Sequence, residues 1–281
     1  MMRTTGHPAR RRPLICLVLC AVTLLLTGQP VHAQRSPQAD SFVVSTYNIR
    51  HGRGMDGVVD LARTGRAIGA LGADVVALQE VDRLVTRSGR VDEPAELGAQ
   101  LGMSHAFGAF MPYQGGEYGL AILSRFPIRR QQALRLPDGN EPRVALLAEV
   151  ELPSQRRVLV VNVHFDWVAN DSLRYLQVES LAAVLDTVSL PVVLLGDFND
   201  QPGSRTLTRW ADRFRTVPKP ASDRYTFSST EPTQEIDHIL LAPRSAWTAD
   251  TARVVTDPLT SDHRAVVARV RLVERARRGT H

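Results

Sequence analysis

Residues 191–200, PVVLLGDFND, constrain this chain more than any other stretch, because four consecutive apolar residues run directly into a carboxylate and a carboxamide. Val192, Val193, Leu194 and Leu195 have the unbroken apolar character of a strand covered on both faces, and Gly196 lets the backbone leave the sheet. Side chains alternate along extended backbone, so Asp197 and Asn199 share a face while Phe198 points the other way. An isolated G-D-x-N is also an ordinary Asx-rich turn. The rest of the chain decides between the two.

The first 33 residues read as a secretory signal: Arg3, Arg10, Arg11 and Arg12, an apolar run over 14–26, then Val31-His32-Ala33 as a small-residue cleavage site. A run of about 13 residues is short for a span that needs roughly 20, so cleavage after Ala33 is expected rather than retention as an anchor. These residues carry four of the 34 basic side chains and none of the 29 acidic ones, so the chain beyond Ala33 is close to neutral. The formal charge of +5 for the whole chain is thus largely the leader's, and it argues little for a nucleic-acid partner. Cys16 and Cys20 also lie in the leader, leaving neither a disulfide nor a thiolate metal site beyond it. Residues 34–40 read as a linker, 41–273 as one folded domain and 274–281 as a basic, solvated tail.

Along the domain, a first strand over 41–48 puts Phe42, Val44, Thr46 and Asn48 on one face and is broken by Gly52 and Gly54. Leu61, Ala62, Ile68 and Leu71 fit an amphipathic helix that stops at Gly72, and a second strand from Asp74 puts Val76, Leu78 and Glu80 on one face. Residues 82–94 read as loop and 94–101 as a short helix. Two strands come next, the second being GLAILSRFPI, and then an antiparallel pair over 143–151 and 157–164. Asp171 or Ser172 caps a helix that runs to about Thr187 and delivers the chain into the strand before Asp197. Residues 202–226 are less regular, and strands over 235–241 and 263–272 flank the sequence TSDH. The strand–helix–strand unit from Asn48 to Glu80 is echoed by that from His164 to Asp197, an arrangement that permits two matching halves whose strand ends converge.

Polar residues stranded at the ends of apolar strands form one set: Asn48, Glu80, His164, Asp197, Asn199, Asp237, Asp262 and His263. Oxygen donors without cysteine suit a hard cation, Mg²⁺ or Mn²⁺, held by Glu80 and Asp262 with Asn48 behind them. Phosphoester hydrolysis is the chemistry such a set favours, the ion neutralising phosphoryl oxygens while a carboxylate or imidazole activates water. Plainer readings stand beside this one: Asn48 as a turn former and His164 and His263 as sheet histidines, while Arg50 and Arg143 could reach a phosphate but read equally well as surface charges in a chain rich in arginine. Glu80, at the end of VVAL, has no packing reason to be there. His51 and His238 are assigned to the structure rather than to the site.

YNI at 47–49, LQE at 78–80, GLAILSR at 119–125, NVH at 162–164, GDFN at 196–199, IDHIL at 236–240 and SDH at 261–263 together resemble the endonuclease/exonuclease/phosphatase family, in that family's order. The resemblance implies an α/β fold of four layers, two mixed β-sheets flanked by helices, as in DNase I-like proteins. It implies Glu80 as the principal metal ligand with Asn48 and Asp262, Asp197 orienting or deprotonating water, and Asn199 holding phosphate or a second metal. It also implies His263 at the scissile phosphate, held by Asp237, with His164 facing it from the other side. Leu120 and Val163 stand where relatives often carry Asn and Thr, which removes a polar contact near the site and a hydrogen bond that would help fix His164.

The expected function is exported, divalent-metal-dependent hydrolysis of a phosphate ester, more readily a diester than a monoester. The substrate is either nucleic acid, with Arg83, Arg87 and Arg90 after Glu80 as a local basic cluster, or a lipid or small-molecule headgroup. For the latter, aromatics at 111–118 and 165–167 would make transient contact with a membrane surface. The alternative is a catalytically silent binding module on the same fold. No obligate protein partner is evident.

Overall fold

The computed structural model describes residues 40–273, together with Met1, Met2 and Gly6, so the leader, linker positions 34–39 and the basic tail lie outside the described residues. Apolar runs become strands of two sheets. The first sheet has the order β11 (Trp247–Ala249), β13 (Val266–Leu272), β1 (Asp40–Asn48), β2 (Val75–Arg83), β4 (Gly116–Ser124), β3 (Ser104–Tyr113), with β12 (Arg253–Val254) also paired to β13. The second has the order β5 (Ile128–Arg135), β6 (Val144–Glu151), β7 (Arg157–His164), β8 (Val192–Asp197), β10 (Asp237–Ala242), β9 (Arg215–Thr216). Each sheet is mixed, because β1–β2 and β7–β8 run parallel and their other neighbours antiparallel.

Parallel neighbours require a crossover. Helix α1 (Leu61–Ala70) carries the chain from β1 to β2, and α3 (Ser172–Leu185) carries it from β7 to β8. The echo in the sequence is therefore a repeated topology, one unit per sheet. Three apolar clusters define four layers. Phe42, Val44, Leu120, Leu146, Val160, Leu195 and Ile239 pack between the sheets. Ile68 and Leu71 of α1 and Leu97 of α2 (Glu93–Leu101) cover the outer face of the first sheet against Tyr47, Val76, Leu78 and Val81. Val178, Leu181 and Leu185 of α3, with Leu207 of α4 (Arg205–Thr208), cover the second sheet against Val161, Val163, Leu194 and Phe198.

Asp60 and Asp92 cap α1 and α2, accepting from the backbone of Arg63 at 2.8 Å and Ala95 at 3.1 Å. Asp171 sits at the N-cap of α3 as expected, but makes no capping bond; its carboxylate is paired with Arg205 at 2.7 and 2.8 Å. Three boundaries differ from the sequence reading. The stretch GLAILSRFPI is broken after Ser124, whose hydroxyl accepts from the Phe126 backbone, and β5 starts beyond it. Strand β13 begins at Val266 rather than His263, and β2 runs on to Arg83, into the stretch whose composition suggests loop. Leu120 and Val163 are both fully buried in apolar layers, so neither position addresses the site.

Candidate active site

Parallel crossovers bring the C-terminal ends of β1 and β2 to one edge of the first sheet, and those of β7 and β8 to one edge of the second. Asn48 ends β1, His164 ends β7 and Asp197 ends β8, while Asp237 opens β10 directly opposite Asp197. These edges meet: Asn48 Nδ2 donates to Glu80 Oε1 at 3.1 Å and to Asp197 Oδ2 at 3.2 Å, and lies 3.5 Å from His263 Nε2. A residue from each sheet thus touches the same carboxamide.

Glu80 reaches this position through a bulge. Leu78 pairs with Ala121 and Val81 with Gly119, so β2 carries one residue more than β4 over this interval, and Glu80 adopts φ 55°. Val81 then takes the place on the helix-facing side that regular alternation gives to Glu80. The expectation that Val76, Leu78 and Glu80 share a face is corrected accordingly. Glu80 is turned out of the ladder toward Asn48, and burial raises the pKa of its carboxyl, against the lowering effect of the Asn48 hydrogen bond.

On the second sheet, Gly196 adopts φ 152°, where a Cβ would collide with the Val163 carbonyl oxygen, so glycine alone permits the approach of β7 and β8 that sets His164 beside Asp197. Asn199, at φ 50°, donates its backbone N–H to Asp197 Oδ1 at 2.9 Å and its Nδ2 to the Phe165 carbonyl at 3.0 Å. Its Oδ1 and the second N–H of Nδ2 are left to face a ligand. Asp197 Oδ2 lies 3.5 Å from both His164 Nε2 and His263 Nε2.

The Nδ1–H of His263 donates to Asp237 Oδ2 at 2.9 Å, and Phe227 packs over the imidazole with ring centroids 4.9 Å apart. Burial pulls this imidazole down, but the carboxylates of Asp237 and Asp197 outweigh burial and lift it to about 10. Burial raises Asp197 to about 7, against the lowering influence of His263. His164 is held well below the usual histidine value by burial and by the nearby Arg143 and His263. The site therefore combines a cationic imidazole, a neutral one and a carboxylate poised near neutrality. Asp197, Asp237 and His263 offer ligand atoms within 4.8 Å of one another. The short His263–Asp237 bond already uses one atom of each, so these read better as a proton-handling set than as an ion cage.

Asp262 is held at the rim: Ser261 donates its hydroxyl to the Asn48 carbonyl at 2.7 Å and lies 3.3 Å from Asp262 Oδ1, while Arg50 stands 3.5 Å from Asp262 Oδ2. All eight residues of the sequence-derived set thus lie at one end of the sandwich. For Arg143 the sequence reading left phosphate contact and surface charge as equal alternatives. Arg143 is 1% exposed, lies close enough to lower His164 and Glu80 electrostatically, and packs its guanidinium over Phe110 at 4.9 Å. Its Nη2 meets Glu141 at 3.2 Å, but its Nε and Nη1 are buried without a partner among the described residues. The plain surface reading of Arg143 is overturned.

His238 is structural as read: it faces away from Asp237, packs on Phe198, donates Nε2–H to the Asp200 carbonyl at 2.9 Å and turns Nδ1 to Lys219. His51 is buried, and burial pushes it down to about 4. Of the aromatics assigned to membrane contact, Phe165 is buried against Phe198 and Tyr118 against Phe110, while Trp167 is 56% exposed. Arg83 and Arg87, two of the expected basic cluster, are paired with Glu117 and Asp82.

The profile of the Endonuclease/Exonuclease/phosphatase family matches residues 45–263. Among solved structures, an endonuclease/exonuclease/phosphatase from Beutenbergia cavernae superposes with a TM-score of 0.70 at 26% identity, over 83% of this chain and 72% of that one. A family protein from Bacteroides thetaiotaomicron gives a TM-score of 0.70 at 17% identity over 84% and 100% of the two chains. The mannosyl-6-phosphatase Bt3783 of the same organism gives 0.65 at 17% over 82% and 99%. No curated protein matches the sequence.

Proposed function

We propose that this chain, which belongs to the endonuclease/exonuclease/phosphatase family, is a divalent-metal-dependent hydrolase of phosphate esters. The observation that carries this reading is Arg143: a buried guanidinium with two nitrogens unpartnered among the described residues, beside a carboxylate–imidazole cluster, calls for an anion with oxygens to accept from it. A phosphoryl group meets that requirement.

The residues present fit a hard cation. Glu80 receives a single hydrogen bond, from Asn48, and is raised by burial and by the neighbouring Asp262, the mark of a carboxylate short of positive charge. Glu80 and Asp262 would hold Mg²⁺ or Mn²⁺ through oxygen, with Asn48 linking them to Asp197. A bound ion would supply charge neutralisation at the phosphoryl oxygens. Asp197, near neutrality and flanked by Asn48 and two imidazoles, is placed to take the proton of an attacking water. His263, cationic and fixed by Asp237, stabilises charge on phosphate or protonates the leaving oxygen. His164 and Asn199 complete the phosphate contacts, and Arg143 neutralises a non-bridging oxygen.

For the leaving group, nucleic acid and a lipid or sugar headgroup both stand, and the resemblance in fold to a mannosyl-6-phosphatase keeps monoesters in the test. Export after removal of residues 1–33 is part of the same reading, checked by the N-terminus of protein recovered from outside the cell. The deciding experiment strips the purified protein with chelator and titrates Mg²⁺ and Mn²⁺ against bis-p-nitrophenyl phosphate, beside Glu80→Ala. Metal-restored turnover in the wild type alone supports the proposal, and DNA, RNA, phospholipids and sugar phosphates then identify the leaving group. No turnover on diester or monoester with either metal would leave a binding module.

A further inference from the structure

Two amides and a hydroxyl sit where the sandwich is otherwise apolar. Thr46, Gln79 and Asn162 are all fully buried, between sheets whose facing side chains are aliphatic and aromatic. Burying such groups is costly unless each is hydrogen-bonded, and here each is. Asn162, on β7 of the second sheet, reaches across to the first: its Nδ2 donates to the carbonyl oxygens of Leu78 on β2 and Ala121 on β4, both at 2.8 Å. Its Oδ1 accepts from Gln79 Nε2 at 2.7 Å, and Gln79 in turn lies 3.1 Å from the Thr46 hydroxyl on β1.

Leu78 and Ala121 are not an arbitrary pair. They form the last regular rung before the bulge that turns Glu80 out of the ladder. A bulge interrupts the strand-to-strand bonding and leaves backbone groups to be met from elsewhere. One carboxamide from the opposite sheet meets both carbonyls of that rung and also fixes Gln79, the residue immediately before Glu80. A sheet face that needed only packing would be served by Leu or Val at 162.

We propose that Asn162 is a positioning residue: a cross-sheet amide that holds the β2 bulge and so keeps Glu80 aimed at Asn48. This rests on the metal-dependent reading of the site, since Glu80 is the carboxylate that reading assigns to the ion. Asn162 touches no substrate; it acts through the backbone of Leu78 and the side chain of Gln79.

The test uses two variants. Asn162→Leu strands the two carbonyls and the Gln79 amide, and is expected to lose stability. The double variant Gln79→Leu/Asn162→Leu strands the same two carbonyls and the Thr46 hydroxyl but leaves no orphaned amide, and is the better folded of the two. Mn²⁺ affinity, measured by calorimetry on protein without substrate, should fall roughly 10- to 100-fold in the double variant, as when the partners that orient a ligand are lost. Amide exchange at Glu80 and Val81 should accelerate while exchange in β6 and β10 stays slow. Wild-type affinity and wild-type protection in a folded double variant would overturn the proposal. Absence of saturable Mn²⁺ binding by the wild type would instead overturn the metal reading, and the exchange measurement would still decide whether Asn162 holds the bulge.

Discussion

Arg143 is a cation enclosed by the fold whose one ion-pair partner among the described residues is Glu141, and this makes it separable from the stability of the protein. Arg143→Met keeps the packing on Phe110 and removes a desolvated charge, so melting temperature should hold or rise. Activity should fall, with kcat/KM down roughly 10²- to 10³-fold, because a donor aimed at developing phosphoryl charge is gone. Equal loss of stability and activity would mean that Arg143 is structural. Asp237 offers the complementary case. In Asp237→Asn the His263 imidazole loses the carboxylate that raises it and fixes its Nδ1–H, and kcat should drop roughly 10²- to 10⁴-fold in a pH–rate profile whose acidic-form limb moves to lower pH. The polar ends of strands made Glu80, Asp197 and His263 legible in the sequence. Arg143 stayed undecided, because it stands just before an ordinary-looking β6 in a chain rich in arginine, and burial is what distinguishes it from the others.

At the scale of elements, what the sequence conveyed was whatever left an apolar period. Helices α1 and α3 and strands β1, β6, β7 and β8 follow their patterns closely. Strand β5 does not, since most of IRRQQALR is solvent-exposed at a sheet edge and has little hydrophobic alternation to read. The β2 bulge was equally hidden: LQEV alternates well either way, and the slip is decided by Asn162 and by the cost of burying Glu80 beneath a helix. Helix α2 carries a related compromise. Glu93, in its first turn, is buried beside Asp82 and Arg87; its Oε2 accepts the Asp82 backbone N–H at 2.8 Å, its Oε1 has no partner, and burial lifts the carboxyl from 4.5 to about 8. A folded-state value above the unfolded one means that the folded protein binds the extra proton. Stability from this group is complete below about pH 4.5 and is lost as pH rises through about 8. Relative to Glu93→Gln, which cannot ionise, the wild type should lose roughly 10 °C in melting temperature between pH 5 and pH 9. Parallel melting curves for the two proteins across that range would show that Glu93 ionises normally.

Across the whole molecule, each sheet supplies half of the site. Asn48, Glu80, Asp262 and His263 belong to the first sheet or the loop entering it, while His164, Asp197 and Asp237 belong to the second and Asn199 and Arg143 flank its strands β8 and β6. The carboxylates of the two halves face one another across Asn48, and among the described residues the His263 imidazole, Arg143 and, at the rim, Arg50 are the charges that offset them. The site exists only while the sheets are packed, so a ligand that bridges the halves binds the folded protein alone and stabilises it by mass action. At a hundredfold excess over its dissociation constant such a ligand contributes about 2.7 kcal/mol, which for a domain of this size raises the melting temperature by roughly 5–10 °C. Mn²⁺ with inorganic phosphate should give a shift of this size in the wild type. Mn²⁺ alone should give less, since Arg143 and the second-sheet residues then have no anion to meet. Glu80→Ala should abolish both shifts, and Arg143→Met should abolish only the increment due to phosphate. Equal shifts with and without phosphate in the wild type would mean that the ion is held by one sheet alone and that the two halves do not close on a common ligand.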